Sequence, residues 1–538
     1  MSSRTTRTAG WLGLAAFLAY VATGGGRVVG SDEVTMLELA RALLSGTIAV
    51  PEGATVQGRD GRHVTKNAAG QAVLALPLVA VAEVGARLAG LPPDRRTLAV
   101  RFGASFFNAA VTALVLAAFY AGARALGVGA GASLAAALML GFATPVWVYA
   151  KSFMAEPLQS LGLLLALLGA SLAAARDRGS SRAPALTALG TFLAVSVKLS
   201  MLPLVIGCLV PLLVAPPRAW LAPAIGLALA LAGHGLYDLA RFGNPFETGY
   251  GVQATPAAYT TPILVGLYGL LLSPGKGALW FAPGLWLAPA GWRAMLEGAR
   301  TGSGRLLARL GLGTAAGSSG IGAALACAAA LGLYSRFQHW AGDGSFGPRY
   351  LVPVLPLAFL PVAFALDRRQ GQDERVARRR WKLAALLGAL GFLVQVGGVG
   401  IYFGAQMREA GDYPYQLPLG HPRFMSDSHF NPTFSPIAGH WRMLLRNGRE
   451  HVAGRMPRLG AAGPRDPRLG LSEEDQRALL HGLDLWWLYL IYAGLPPGPV
   501  WGALAALVIL TLWAAARTRA AFRSEARAQR ADQGAWLP

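Results

Sequence analysis

Two adjacent carboxylates, Asp32 and Glu33, follow directly on the first apolar run of the chain, and a polar stretch carrying Arg59, Arg62, His63, Lys66 and Asn67 comes soon after. A carboxylate held beside cations at a membrane face can take a proton from a hydroxyl, and the cations can hold a departing phosphate. The same acids would favour the N-terminus of a helix over Val34–Leu44, with Ser31 or Asp32 as its cap. Capping and catalysis are compatible, and spacing alone leaves both open. For the basic stretch, a solvated loop is the plain reading. A phosphate clamp centred on Lys66, with Arg62 beside it, is the functional one.

Further residues could join that chemistry. Glu156 precedes Pro157 at the start of an apolar run, where it is either a dipole partner or a second acid facing Asp32. The segment Tyr334–Tyr350 lies between apolar runs and holds Arg336, His339, Asp343 and Arg349. An arginine this close to a span on the outer side usually has a partner. An anionic headgroup and Asp343 are the candidates for Arg349, while His339 and Arg336 join Glu156 as candidates for the acceptor side. The turn Leu272–Gly277 lacks Walker spacing and reads as presenting Lys276 to the surface, as one more phosphate contact. Tyr237–Tyr250, with Asp238, Arg241 and Glu247, is another segment that could line the site. His421, His429, His440 and His451 lack metal-ligand spacing and read as surface histidines. A divalent cation, if one is used, finds its ligands only in Asp32 and Glu156. No G-x-S-x-G, H-E-x-x-H or dinucleotide fingerprint stands in a credible context.

The elements that must position these residues are membrane helices. Of 538 residues, 54% are hydrophobic and 14% charged, with mean hydropathy +0.43, whereas a soluble domain carries roughly 25% charged residues. Repeated apolar runs of about 18 residues or more give an all-α polytopic membrane protein. The 68 glycines suit helices that approach closely in lipid. The net charge of +21 sits largely in short segments between runs, so the positive-inside rule accounts for it better than nucleic-acid binding does. Cys208 and Cys327 lie in apolar runs and indicate neither a disulfide framework nor a thiolate metal site.

Spans are expected near Gly10–Val29, Ala104–Tyr120, Ala132–Tyr149, Pro157–Ala174, Leu186–Val197, Met201–Val214, Leu221–Leu239, Ala278–Ala290, Ala315–Tyr334, Leu351–Leu366, Leu383–Phe403 and Val500–Ala515. That makes about twelve, with both termini cytoplasmic. Lys198 interrupts the 186–214 region, which is either one long broken span or two spans, and the basic segments argue for two. Arg4 and Arg7 before Trp11–Thr23 also describe a signal peptide, but the many later runs favour an uncleaved signal anchor. Basic segments at Arg176–Arg178, Arg218, Arg293–Arg309, Arg368–Lys382 and Arg517–Arg530 fall on the inner side. The bundle takes residues 1–402, including an outer loop over 28–101 in which Gln71–Leu88 reads as an interfacial helix. Residues 403–485 form a small, partly helical outer cap, with a helix starting at Ser472. Residues 486–538 re-enter at Trp486 and Trp487 and end in a basic tail.

Ser31-Asp32-Glu33, Leu39–Gly46, Asp60-Gly61-Arg62-His63-Val64-Thr65-Lys66 and Gly70–Pro77 resemble the first outer loop of the GT-C membrane glycosyltransferases. The resemblance is to the branch that contains the lipid A aminoarabinose transferase, galacturonosyl transferases and protein O-mannosyltransferases. Ser345–Tyr350, with Pro353 and Pro356, resembles a later segment of bacterial members. The resemblance implies a GT-C-like bundle with extracytoplasmic juxtamembrane helices in an inner or plasma membrane. It also implies a polyprenyl-phosphate sugar donor, inversion at the anomeric carbon, and a lipid, glycan or protein acceptor at the extracytoplasmic face. By it Asp32 is the general base, Glu33 supports it, Lys66 contacts the donor phosphate and Glu156 falls near the second acidic position. Two departures stand out: Glu156 is found where many members have Asp, and Asn67-Ala68-Ala69 replaces the proline pair of the aminoarabinose branch. A transporter or flippase of lipid-linked sugars would favour internal repeats and charges at span midplanes. A glycan polymerase or ligase would keep arginine-rich outer loops without needing an acid pair after the first span.

Overall fold

The structure is a computed structural model, and it describes residues 2–53, 55–175, 181–299, 314–368, 373–412, 417, 421, 423–460 and 472–534. Among the described residues the chain is all-α apart from a hairpin that pairs Val56–Gln57 with His63–Val64. Eight described helices are long and apolar enough to cross a membrane, and three shorter apolar ones accompany them, at Ala130–Phe142, Ala183–Val197 and Leu199–Val214. The protein is therefore an integral membrane protein with a polytopic helical bundle, as its composition implies. The expected segments Arg176–Arg178, parts of Arg293–Arg309 and Arg368–Lys382, and Pro414, Pro418 and Pro422 lie outside the described residues.

The first helix, α1 (Ser3–Ala22), is capped by the Ser2 hydroxyl, which accepts from the Thr5 N–H. It runs beside the last helix, Pro497–Gly534, with Trp11 edge-on to Trp513 at 5.0 Å. The next four are α2 (Ser31–Leu44), α3 (Gly70–Leu88), α4 (Pro93–Ala104) and α5 (Phe107–Ala125). Helix α3 packs on α2 and α4, and its Glu83 accepts from Arg41 of α2 at 2.7 Å. By length and composition α3 could itself cross a membrane.

Then follow α6 (Ala130–Phe142), the short α7 (Val146–Ala150), α8 (Glu156–Ala174) and α9 (Ala183–Val197). Small residues let α8 and α9 meet backbone to backbone. A Cβ on Gly162 would lie 2.5 Å from the Ala194 nitrogen, and one on Gly190 would lie 2.2 Å from the Ala166 nitrogen. Only a short connection separates the two helices, so they run antiparallel. The start of α8, Glu156, therefore lies at the same end as Lys198, the residue that follows α9.

Some expected spans take a different form: Ala132–Tyr149 is the two helices α6 and α7. Ala278–Ala290 is not one helix but Ala278–Phe281, a 3-10 turn over Pro283–Leu287 and Ala288–Ala299. Pro283 has no N–H to continue the first turn. The 186–214 region does divide at Lys198, whose backbone is extended (φ −161°, ψ 123°) between α9 and a 3-10 turn. The 403–485 segment, expected on the outer side, contains the helices Phe403–Glu409, Ser426–Phe430, Pro436–Val452 and Glu473–His481, the last capped by Ser472. At the end of the bundle near Thr5, Glu525 of the last helix accepts from Thr5, Tyr120 and Arg124.

Candidate functional site

The site begins at the start of α2. Glu33 is its third residue, and its Oε2 accepts from the Gly30 N–H at 2.7 Å. Its Oε1 accepts from the Phe153 N–H, in the linker between α7 and α8. The Glu33 carboxyl is buried, which pushes its pKa above the usual range against the pull of those two N–H groups. Capping thus falls to Glu33, which ties α2 to the base of α8. Its neighbour Asp32 is left free to meet cations.

Those cations come from distant parts of the chain. Arg349, at the start of the span Arg349–Leu366, donates from Nη2 to Asp32 Oδ2 at 3.1 Å and from Nε to Glu156 Oε1 at 2.6 Å. The Lys66 Nζ stands 3.9 Å from Asp32 Oδ1. The Lys198 Nζ lies 5.2 Å from the centre of the Tyr350 ring, which stacks on Tyr334 at 4.4 Å. Burial raises the Asp32 carboxyl, but the charges of Arg349, Lys66 and Lys198 outweigh it and hold the group below the usual aspartate range. Asp32 is therefore ionised at neutral pH. Arg349, Lys66 and Lys198 gather around Asp32 and Glu156, with Glu33 also in the field of Arg349, and burial lowers the Lys198 ammonium. One oxygen of Glu156, Oε2, is buried without a hydrogen-bond partner.

Lys66 is held in register from both sides. Arg241 donates to the carbonyl of Thr65 and is paired with Asp238, both residues being buried. Asn67 donates to Thr35 Oγ1 at 3.1 Å and accepts from the Tyr250 hydroxyl at 3.2 Å. The Arg59 N–H donates to the Arg241 carbonyl at 2.8 Å. The basic stretch is thus an anchored loop, and Tyr237–Tyr250 supplies its anchor.

Other expected residues stand apart from this group. Arg62 is half exposed and pairs with Asp60 at 2.7 Å. Arg336 is directed at the Tyr259 carbonyl. His339 is buried with its Nδ1 3.3 Å from Asp343, so Asp343 partners His339 and not Arg349. Lys276 is fully buried rather than presented to the surface, because the outer segment covers its turn. Burial draws its ammonium down to about 7 against the pull of Asp343.

The expected surface histidines also need correction. His429 and His440 are buried, and burial lowers both, His440 to about 4, so they are neutral at pH 7. A divalent cation does not fit between Asp32 and Glu156, because the Arg349 guanidinium bridges them. Among the described residues no three His, Cys, Asp or Glu side chains form a metal-binding group.

Lys198 is the residue of this group that sequence reasoning passed over. Its signal is a lone cation inside an otherwise apolar run, which by spacing alone marks only a break between spans.

No protein-family model matches the chain, and no curated protein matches it. Among solved structures, the crystal structure of ArnT from Cupriavidus metallidurans bound to undecaprenyl phosphate is similar at a TM-score of 0.49 and 17% identity, over 90% of this chain and 77% of that one. A likeness at this level assigns neither a family nor an activity.

Proposed function

We propose that this protein is a membrane glycosyltransferase. It moves a sugar from a polyprenyl-phosphate donor to a hydroxyl of a lipid, glycan or protein acceptor, with inversion, at the extracytoplasmic face. One observation carries the reading: an ionised carboxylate, Asp32, held between two cations, Arg349 and Lys66. Such a group can bind a phosphate and accept a proton side by side.

In the reaction the acceptor O–H proton passes to Asp32. The acceptor oxygen bonds to the anomeric carbon from the face opposite the phosphate. The bond from that carbon to the phosphate oxygen breaks, and its electron pair leaves on the phosphate. Arg349, Lys66 and Lys198 offset the growing charge. Arg349 and Lys66 are shared between Asp32 and the phosphate. As charge builds on the leaving group they are drawn toward it, and the proton affinity of Asp32 rises when the proton arrives. The unpartnered oxygen of Glu156 would accept from a sugar or acceptor hydroxyl and orient it.

Asp32→Asn keeps the shape of the side chain and removes the base. We expect transfer to fall by about a hundredfold to ten-thousandfold, with binding of the polyprenyl-phosphate donor retained. Normal turnover in this variant overturns the assignment, and so does a wild-type protein that releases no polyprenyl phosphate when acceptor is added.

A further inference from the structure

Lys276 lies in the turn between the helices Ile263–Leu271 and Ala278–Phe281, away from the ion pairs of the site. Its Nζ donates to the carbonyl of Asp343 at 3.1 Å, to the carbonyl of Ser345, and to Ser345 Oγ at 3.2 Å. An ammonium has three N–H groups, and all three are engaged. The turn is fixed from the outside by the outer segment. The Gly275 N–H donates to the His429 carbonyl, and a Cβ on Gly275 would lie 2.0 Å from the Ser428 carbonyl oxygen. The Phe403 ring stands 5.2 Å from the Lys276 ammonium.

The carbonyls that Lys276 holds belong to a tight loop just before Arg349. Asp343 takes a left-handed conformation (φ 50°) between Gly342 (φ 71°) and Ser345, whose N–H turns back to the Asp343 carbonyl at 2.8 Å. A non-glycine residue rarely adopts that region and persists there only where its surroundings enforce it. This loop packs directly on the arginine. A Cβ on Gly342 would lie 2.8 Å from Arg349 Cβ and 3.2 Å from its Cδ.

Resting on the function proposed above, we infer that Lys276 is a positioning residue. By holding the Asp343 and Ser345 carbonyls it fixes the wall that keeps the Arg349 guanidinium between Asp32 and Glu156, and it does not touch the donor phosphate. The inference also gives the outer segment a task, since that segment encloses the lysine.

The test is a double-mutant cycle read by the affinity for polyprenyl phosphate without a sugar, in detergent. Lys276→Met should weaken binding about tenfold in the wild-type background and add nothing in an Arg349→Ala background, because residues acting through one another are not additive. Additive losses overturn the inference, as they would mark a separate contact between Lys276 and phosphate. Unchanged affinity in Lys276→Met overturns it too. Ser345→Ala removes one acceptor more gently and should show the same dependence on Arg349 if the methionine variant fails to fold. An experimental structure of either variant gives a readout free of ligand: Arg349 displaced supports the inference, and Arg349 still bridging both carboxylates overturns it. A wild-type protein that does not bind polyprenyl phosphate sinks the glycosyltransferase reading instead, and the position of Arg349 in the variant still decides the role of Lys276.

Discussion

Asp32 and Glu33 are neighbours in sequence with separate tasks. Glu33 accepts two backbone N–H groups and holds α2 on the linker before α8. Asp32 faces Arg349 and Lys66. The pair could be recognised in the sequence as cap or base, but the division between them depends on Phe153, whose N–H reaches Glu33 across 120 residues. The residue-scale prediction concerns pH. Arg349, Lys66 and Lys198 hold Asp32 below its usual range in the ligand-free protein, so the acid limb of the pH–kcat/KM profile should lie below about 3.9. Lys66→Ala removes one of these cations, so the Asp32 pKa rises and the acid limb moves to higher pH. Lys66→Arg should leave the limb in place. A limb that does not move in Lys66→Ala assigns the base to another residue.

At the scale of elements, the linker between α7 and α8 ties the site together. Its Phe153 and Met154 carbonyls accept from Gln71 of α3, and its Ser152 and Met154 carbonyls accept from Asn108 of α5. Lys151 pairs with Asp484 at 2.5 Å, and Asp484 also accepts from Arg27 at 2.6 Å. One buried carboxylate from the far end of the 403–485 segment therefore serves two partly buried cations. Asp484→Asn leaves both unpaired and should cost about 3–5 kcal/mol, read as a lower Tm.

The pH dependence of that pair has a definite sign. Burial raises Asp484, but Arg27 and Lys151 hold it at about 2. Its folded pKa is thus lower than the unfolded value of about 3.9, so the pair contributes about 2–3 kcal/mol above pH 4. That contribution is lost as pH falls from about 4 to about 2. The Tm of Asp484→Asn should show a smaller step, and an equal step in wild type and variant would refute the pairing. None of this was visible beforehand, because Lys151 and Asp484 are 333 residues apart and each lies at the edge of an unremarkable apolar run.

On the scale of the whole molecule, Asp32 and Glu525 lie at opposite ends of α1, whose 20 residues span about 30 Å. Glu525 is anchored near Thr5 at the start of that helix, and Asp32 follows its end. The basic tail and the proposed site are therefore on opposite sides of the bundle. A membrane-impermeant maleimide should label Arg62→Cys in intact cells and Arg519→Cys only after permeabilisation, since both positions are exposed. Cys208 is buried and Cys327 only half-buried, which keeps the background low. The reverse labelling pattern would put Asp32 on the cytoplasmic side and overturn the proposed function.

Read alone, the amino-acid sequence establishes an all-α membrane protein, an interruption at Lys198 and an acid pair just after the first apolar run. Those features are local: apolar length and the need to satisfy backbone groups within lipid leave helices as the outcome. Which charges meet was decided only by the tertiary structure. Asp32 and Arg349 are 317 residues apart, and Glu156 reaches Arg349 across 193. No local pattern specifies such pairs, because they depend on how close glycine lets α8 and α9 come and on where the loop before Arg349 is held. The burial of Lys276 has the same origin: a polar residue in a turn becomes a buried one when a segment more than 100 positions later folds over it.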